Sequence, residues 1–503
     1  MAGLAAALSL AEAGLRPLLL EADPAHPGGR YAGRGEVRFT AHGGDGTPTE
    51  WAFPVDHGVH GWWSQYHNLR DLLQRHGLLP PLLEAGRQDW VYAAHGMVRR
   101  VEVGQRLVHS PIPAPFHYLW LVLHPDFLRM LGPLDLLTVP WVGSTLVSML
   151  AFDPARDGEA LAGKTALQVL WSWPPPLRAF GWALARSGLA VGAEDAPLAG
   201  FVALFRFYSL LRRDAIRYHY LPGDSGTLVI EPMIRRIAEL GGEVRRGVAV
   251  QGLRRTAAGW ELAVDGGSLT AAHVVLATDA PAARRLLTES PDTALAAGAM
   301  LWPEGQASAV ARLWFRSTPA ITATGGMFGG EFVLDNYFWL HQIQAPFRHW
   351  HEATGGSAVE CHIYGPPELL AESAAVVLTR AAADLQRAWP ELRGQLVHAH
   401  LQHNPPVHTL FGVGATGRHL GVETPWPGLF ACGDWVRHPA PALFLERATV
   451  TGLAAANAVR RAEGLAELPL AAYTPPEPLA AVLQAALRGA RHGMEAVFRM
   501  LGR

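Results

Sequence analysis

GLFACGDWVRHPAPALFLERATVTGLAAAN, residues 428–457, decides the fold. Its apolar start reads as a short buried strand that ends in Gly433-Asp434. A proline-rich loop follows, and a helix begins near Leu445 with small residues along one face. A strand, a glycine turn and a helix N-terminus pointing at the turn form the arrangement that holds a dinucleotide. The helix start carries partial positive charge, so it favours an anion placed against it, including the negative charge of a reduced flavin ring. Gly433, Asp434, Leu445, Arg447 and Ala448 are the candidate contacts here, with Asp434 placed to hydrogen-bond a ribityl or phosphate group.

The other half of such a site stands at the N-terminus. Residues 3–15 read as a small-residue helix and residues 17–21 as a short buried strand. Gly3 takes the third glycine position of a dinucleotide fingerprint, where a missing side chain lets helix and strand pack closely. Glu21 ends the strand eighteen residues later, where a ribose-binding acid belongs. On this reading the first strand and the first two glycines are expected to lie before Met1; the plain alternative is an ordinary αβ start with a chance acid. Gly28-Gly29-Arg30 is a turn that brings a cation to the pyrophosphate, or a turn and nothing more. Val250, in GGEVRRGVAVQGL, offers a backbone amide to an adenine, with core packing as the alternative for its side chain.

The 503 residues exceed one compact core. The α/β pattern comes in three separated blocks, which predicts an α/β fold with one nucleotide-binding domain assembled from distant segments and a second domain inserted between them. The expected division is 1–84, 223–295 and 420–465 for the nucleotide-binding domain, 85–222 (mostly helical) and 296–419 (β-rich) for the inserted domain, and 466–503 for a C-terminal amphipathic helix. A net charge of −2 gives no field that draws nucleic acid. Two cysteines, Cys361 and Cys432, build neither a disulfide framework nor a metal-ligand pattern, so no metal is expected and a reducing, cytoplasmic compartment fits. The N-terminus lacks the basic n-region of a signal peptide.

The flavin stretches, together with VDHGVHGWWSQYHNLRDLL (55–73), AFDPARDGEALAGKTA (151–166), VECHIYGP (359–366) and HNPPVHTLF (403–411), resemble the flavin amine oxidase and carotene desaturase superfamily end to end. Within it the chain is similar to carotenoid desaturases of the zeta-carotene desaturase and isorenieratene synthase type. The resemblance implies non-covalent FAD, a Rossmann-like FAD-binding domain (first strand truncated) with an inserted mixed α+β substrate domain, and a lipid-soluble isoprenoid or carotenoid substrate. Two departures stand out: Arg447 replaces the usual glycine before Ala448, and the N-terminal VxVxGxG is absent.

Desaturation passes a hydride to flavin N5 while a neighbouring carbon loses a proton. Glu446, His57 and His60 are the candidate catalytic residues, with Glu446 or a histidine taking the proton. The alternatives are turn structure for the histidines and a structural Glu446–Arg447 ion pair. Trp62, Trp63 and Phe444 are expected near the site, the tryptophans as packing. Amine oxidation is disfavoured, because the only lysine, Lys164, lies in a polar stretch and Phe444 has no hydroxyl. Two further readings stay open: a flavin oxidoreductase on another isoprenoid such as a squalene derivative, and a non-catalytic truncated remnant. Residues 136–152 carry no charge and suit interfacial insertion or a core. The 479–501 stretch, with Arg488, Arg491, Arg499 and Arg503 on one side, suits an anionic membrane surface or docking on the protein itself. The expected location is peripheral, on the inner face of the membrane.

Overall fold

The computed structural model describes residues 1–42, 47–192, 194–410 and 417–500, with the side chains of Arg34 and 498–500 left aside. Three distant segments meet in the nucleotide-binding half. Strand Leu18–Glu21 runs parallel to Glu243–Arg246, and Val274–Leu276 runs parallel to Leu429–Ala431. A three-stranded antiparallel sheet, Val250–Thr256, Gly259–Val264 and Gly267–Ala271, lies between them in the chain. Helix Ala2–Glu12 is buried almost all round, which its alanines permit. It packs on helix Phe444–Ala462, and Gly452 makes that approach possible: a Cβ there would sit 2.4 Å from the Ala2 carbonyl oxygen. Gly3 does the same on another side, where a Cβ would lie 3.0 Å from that of Ala277. The first helix ends at Glu12, shorter than the expected 3–15, because Gly14 turns the chain at φ +79°.

The second half is organised by a seven-stranded sheet. Its order is Leu396–Thr409, Gly305–Phe315, Ser357–Ile363, Asn336–Trp339, Gly325–Gly330, Gln88–Ala94 and Met97–Glu102. The last two strands come from the segment expected to be mostly helical. They join strands more than two hundred residues away through the parallel pairing of Gly325–Gly330 with Gln88–Ala94. Ser357–Ile363 is buried on both faces, as an interior strand should be.

Helix Pro133–Ser148 is the exception to efficient burial. Leu134 and Leu137 are 77% and 76% exposed and Trp141 57%. The stretch 133–151 is long and apolar enough to cross a membrane by length and composition. The C-terminal helix Pro478–Met500 docks on the body of the protein. Leu483 and Leu487 pack on the main core, Arg488 pairs with Asp153 at 2.8 Å and Arg491 with Asp157 at 2.7 Å. Two of the arginines read as a membrane-facing row are therefore held by the protein's own carboxylates; the side chain of Arg499, with Leu501 and Arg503, lies outside the described residues.

Candidate cofactor and substrate site

A single cavity of about 1460 Å³ runs between the two halves. Pockets for drug-sized ligands span roughly 300–1,000 Å³, so this one has room for a dinucleotide and a second molecule. Gly3, Glu21, Gly28, Gly29, Arg30 and Val250 line it from the first two blocks. Gly433, Asp434, Leu445 and Ala448 line it from the third.

The backbone explains the glycine pair. Gly28 and Gly29 adopt φ +112° and +63°, and a Cβ on Gly28 would meet Ile230 Cδ1 at 2.9 Å. Glu21 steadies this turn by accepting hydrogen bonds from the amides of Asp23 (3.0 Å) and Gly28 (3.2 Å). Arg30 Nη2 donates to Asp434 Oδ2 at 2.5 Å, and Asp434 Oδ1 accepts from Thr409 Oγ1 at 3.0 Å. Burial alone would push the Asp434 carboxyl up. The charge and hydrogen bond of Arg30, with His408 and Thr409, outweigh it and hold the group below the usual range. His408 Nε2 faces the Leu189 carbonyl at 3.2 Å, which leaves Nδ1 to accept from Arg30 Nη1 at 3.1 Å. Gly433 has φ +147°, and its amide donates to Thr451 Oγ1 at 3.0 Å on the cofactor-side helix. A paired cation and acid, two glycine turns and a helix start therefore converge on one elongated cavity, and this set fits a flavin dinucleotide.

Phe444 opens that helix at φ +52°, a strained conformation for a bulky residue. Its ring plane is tilted 30° from that of His408 (centroids 5.9 Å apart) and 23° from that of Tyr208 (6.4 Å). Beyond it the cavity is aromatic. The Trp63 ring packs 4.4 Å from Tyr208 and 4.7 Å from Tyr218. The tyrosine hydroxyls bond to one another, Tyr66 to Tyr208 at 3.1 Å and Tyr218 to Tyr220 at 2.9 Å. That pairing satisfies the polar tips and leaves ring faces for an apolar ligand. Trp62 is fully buried outside the lining and donates to the Tyr31 hydroxyl at 2.7 Å.

The proposed catalytic residues part company. His57 and His60 line the cavity, their rings 6.1 Å apart. Burial, then the neighbouring His362, lowers His60 to about 4, so it is neutral at pH 7. Glu446 lies elsewhere, 0% exposed. It accepts from the amides of Asn68 (2.8 Å) and Leu69 (3.0 Å), from Asn68 Nδ2 (2.9 Å) and from the Tyr473 hydroxyl (3.1 Å). Those amides open helix His67–Arg75, so Glu446 caps a helix N-terminus. Arg447 also points away from the cavity lining. It donates to the carbonyls of Val436, Ala440 and Ala442 and so clamps the proline-rich loop. No Glu446–Arg447 ion pair forms among the described residues. The candidate residues omitted a polar set: His362 and Tyr364 line the cavity, and Glu360 and Arg312 are buried behind them. Its sequence signal is the alternation in VECHIYGP, which puts Glu360, His362 and Tyr364 on one face of a strand.

Comparison with known proteins agrees with this geometry. The model of the flavin containing amine oxidoreductases matches residues 188–460, and that of the NAD(P)-binding Rossmann-like domain matches residues 1–76. A carotenoid phi-ring synthase of Streptomyces griseus is 28% identical over 470 residues, 91% of this chain and 86% of that protein. Among solved structures, cyclohexylamine oxidase from Brevibacterium oxydans aligns with a TM-score of 0.62 at 16% identity, covering 92% of this chain and 97% of that one. An oxidoreductase from Methanosarcina mazei aligns with a TM-score of 0.60 at 14% identity, covering 90% and 97%. At these identities the solved structures speak to fold alone. The chain belongs to the flavin containing amine oxidoreductase family and is an FAD-dependent oxidoreductase.

Proposed function

We propose that this protein desaturates a carotenoid, with aromatisation of an end ring as the further reaction open to it. The observation that carries the reading is the continuity of the cavity: a dinucleotide-shaped end runs without a break into an aromatic, apolar end. The 28% identity to a carotenoid phi-ring synthase along 91% of the chain supports a polyene as the occupant. FAD supplies the hydride acceptor when bound. Glu21, Arg30, Asp434 and the start of helix Phe444–Ala462 are placed to hold it. Trp63, Tyr208, Tyr218 and Phe444 are placed to grip a flat polyene and exclude water. Lys164 reaches the carbonyl of Ala160 on an exposed turn, far from a role at the cofactor, which weighs against amine chemistry.

The test is product analysis with the flavin-loaded protein in detergent micelles, offered a carotenoid, a squalene-type isoprenoid and a primary amine. Chromatography is expected to find a carotenoid with added double bonds. Conversion of the squalene-type compound or of the amine alone would replace this reading.

The substrate dissolves in lipid, so we further place the protein on the inner face of the membrane, through helix Pro133–Ser148. Leu134, Leu137, Trp141 and Trp171 are all more than half exposed, and Trp141 Nε1 reaches Ser172 Oγ at 3.1 Å, so that the two tryptophans share one face. Exposed tryptophan beside leucine suits the headgroup boundary. Vesicle flotation that is lost on Leu137→Glu with Trp141→Glu is the expected result; flotation unchanged by the pair would remove this placement.

A further inference from the structure

Strand Ser357–Ile363 presents Glu360 and His362, and just past its end Tyr364, at two-residue spacing on one side. His362 Nε2 lies 2.8 Å from Glu360 Oε1, and His362 Nδ1 lies 2.7 Å from the Tyr364 hydroxyl. Both ring nitrogens are engaged, and His362 and Tyr364 both line the cavity. Glu360 is itself fixed from two further sides: Arg312 Nη2 at 2.7 Å from Oε2, and the Val59 amide at 2.5 Å from Oε1. Gly58 passes directly over the imidazole, where a Cβ would come 2.9 Å from His362 Nε2. The turn carrying His57 and His60 thus closes down on His362.

The protonation pattern follows. Burial pushes Glu360 up, but Arg312, His362 and the Val59 amide outweigh it and hold the carboxyl at about 2. An ionised carboxylate only accepts, so Nε2 carries the ring hydrogen. Nδ1 is then the acceptor for the Tyr364 hydroxyl.

We propose that His362 is the base for the proton released in desaturation, receiving it through the Tyr364 hydroxyl, and that Glu360 is the positioning residue that orients the ring and stabilises its charged form. This rests on the carotenoid reading for its substrate. On one substrate carbon the C–H bond breaks with its electron pair, as hydride lost to the flavin oxidant. On the neighbouring carbon the C–H electron pair becomes the new C=C bond. That carbon's proton passes to Tyr364 Oη while the tyrosine's own proton moves to His362 Nδ1, leaving an imidazolium beside the Glu360 carboxylate. A carboxylate behind the imidazole serves as it does in other acid–His pairs, fixing the tautomer and paying no reorganisation cost when charge appears.

Two measurements on the flavin-loaded protein test this. The first is ¹⁵N NMR of histidine-labelled protein at pH 8, with the His362 resonances identified by their loss in His362→Gln. Protonated Nε2 with bare Nδ1 is expected; a doubly protonated ring or a proton on Nδ1 would overturn the assignment. The second is anaerobic flavin bleaching by carotenoid in micelles. His362→Gln should keep its flavin absorbance yet bleach at least ~100-fold more slowly, the usual scale for a lost general base. Tyr364→Phe should bleach ~10-fold or more slowly at unchanged half-saturation. Glu360→Gln presents an amide that can donate as well as accept, so the ring hydrogen should lose its fixed place on Nε2 in the ¹⁵N spectrum and bleaching should slow at unchanged half-saturation. Bleaching of His362→Gln within threefold of wild type would overturn the proposal. If wild-type flavin is not bleached by carotenoid at all, the substrate reading fails, and the NMR result alone decides the histidine's state.

Discussion

Replacing Glu446 separates a structural acid from a catalytic one. The side chain is fully buried and accepts four hydrogen bonds, two of them from the first amides of helix His67–Arg75. Asn68 Nδ2 also reaches the Ala471 carbonyl at 3.2 Å, so the side-chain donor keeps a partner when the carboxylate goes. The Asn68 and Leu69 amides do not, since among the described residues no other acceptor bonds them. A buried donor left unsatisfied costs roughly 1–3 kcal/mol, so the two amides together put Glu446→Ala at about 2–6 kcal/mol of destabilisation. That is a large share of the about 5–15 kcal/mol that typical domains have. Glu446→Gln keeps one acceptor oxygen and should lose about 1–2 kcal/mol. Urea unfolding followed by tryptophan fluorescence reads the loss, and flavin absorbance with bleaching rate reads function in the fraction still folded. The structure predicts a strongly destabilised Glu446→Ala whose folded molecules turn over within a few-fold of wild type. A variant as stable as wild type, with flavin bound and a rate down a hundredfold, would refute this and return Glu446 to the chemistry.

Three other outcomes follow from the packing and the charges. Gly452→Ala puts a Cβ 2.4 Å from the Ala2 carbonyl oxygen; prising the first helix off the cofactor-side helix should cost about 1–3 kcal/mol and lower the flavin retained on purification, and unchanged retention would count against that helix pair. Burial lowers His117 and His341 to about 4 in the fold, so the stability they lend is full above pH 6.5 and is lost as pH falls from there towards 4; with His60 and His408 adding to them and Asp56, raised to about 7, and Asp384, raised to about 6, opposing them, the net slope in that window is about 3 kcal/mol per pH unit, and a flat profile between pH 6.5 and 5 would contradict it. Arg447→Lys cannot span three carbonyls with one ammonium, so the loop 436–442 should become sensitive to limited proteolysis, a change that intact resistance would exclude.

The parts of the site that backbone geometry dictates could be read from the sequence. Gly3, Gly28, Gly29 and Gly433 stand where a side chain would collide or where φ is positive, and Glu21 and Asp434 follow at fixed offsets from them. Side-chain direction within a helix turn was harder. Leu445 and Ala448 face the cavity, but Glu446 and Arg447 between them are rotated about 100° per residue around the same turn and reach the helix cap and the loop instead. Tertiary position, not local pattern, decides which of four adjacent residues faces the cavity. The sheet shows the same limit: Gly325–Gly330, the parallel partner of Gln88–Ala94, is distant in sequence, and no local feature announces such a pairing. Glu360, His362 and Tyr364 lay open to a two-residue period, but a polar face on a fully buried strand looks like any half-exposed strand until Arg312 and the Gly58 turn are seen to cover it.

The most direct test of the central claim is the visible spectrum of the purified protein before and after anaerobic addition of a carotenoid substrate in micelles. The account predicts flavin bands that bleach on mixing, with a more unsaturated carotenoid recovered afterwards. Flavin bands that the carotenoid leaves untouched while a primary amine bleaches them would contradict it.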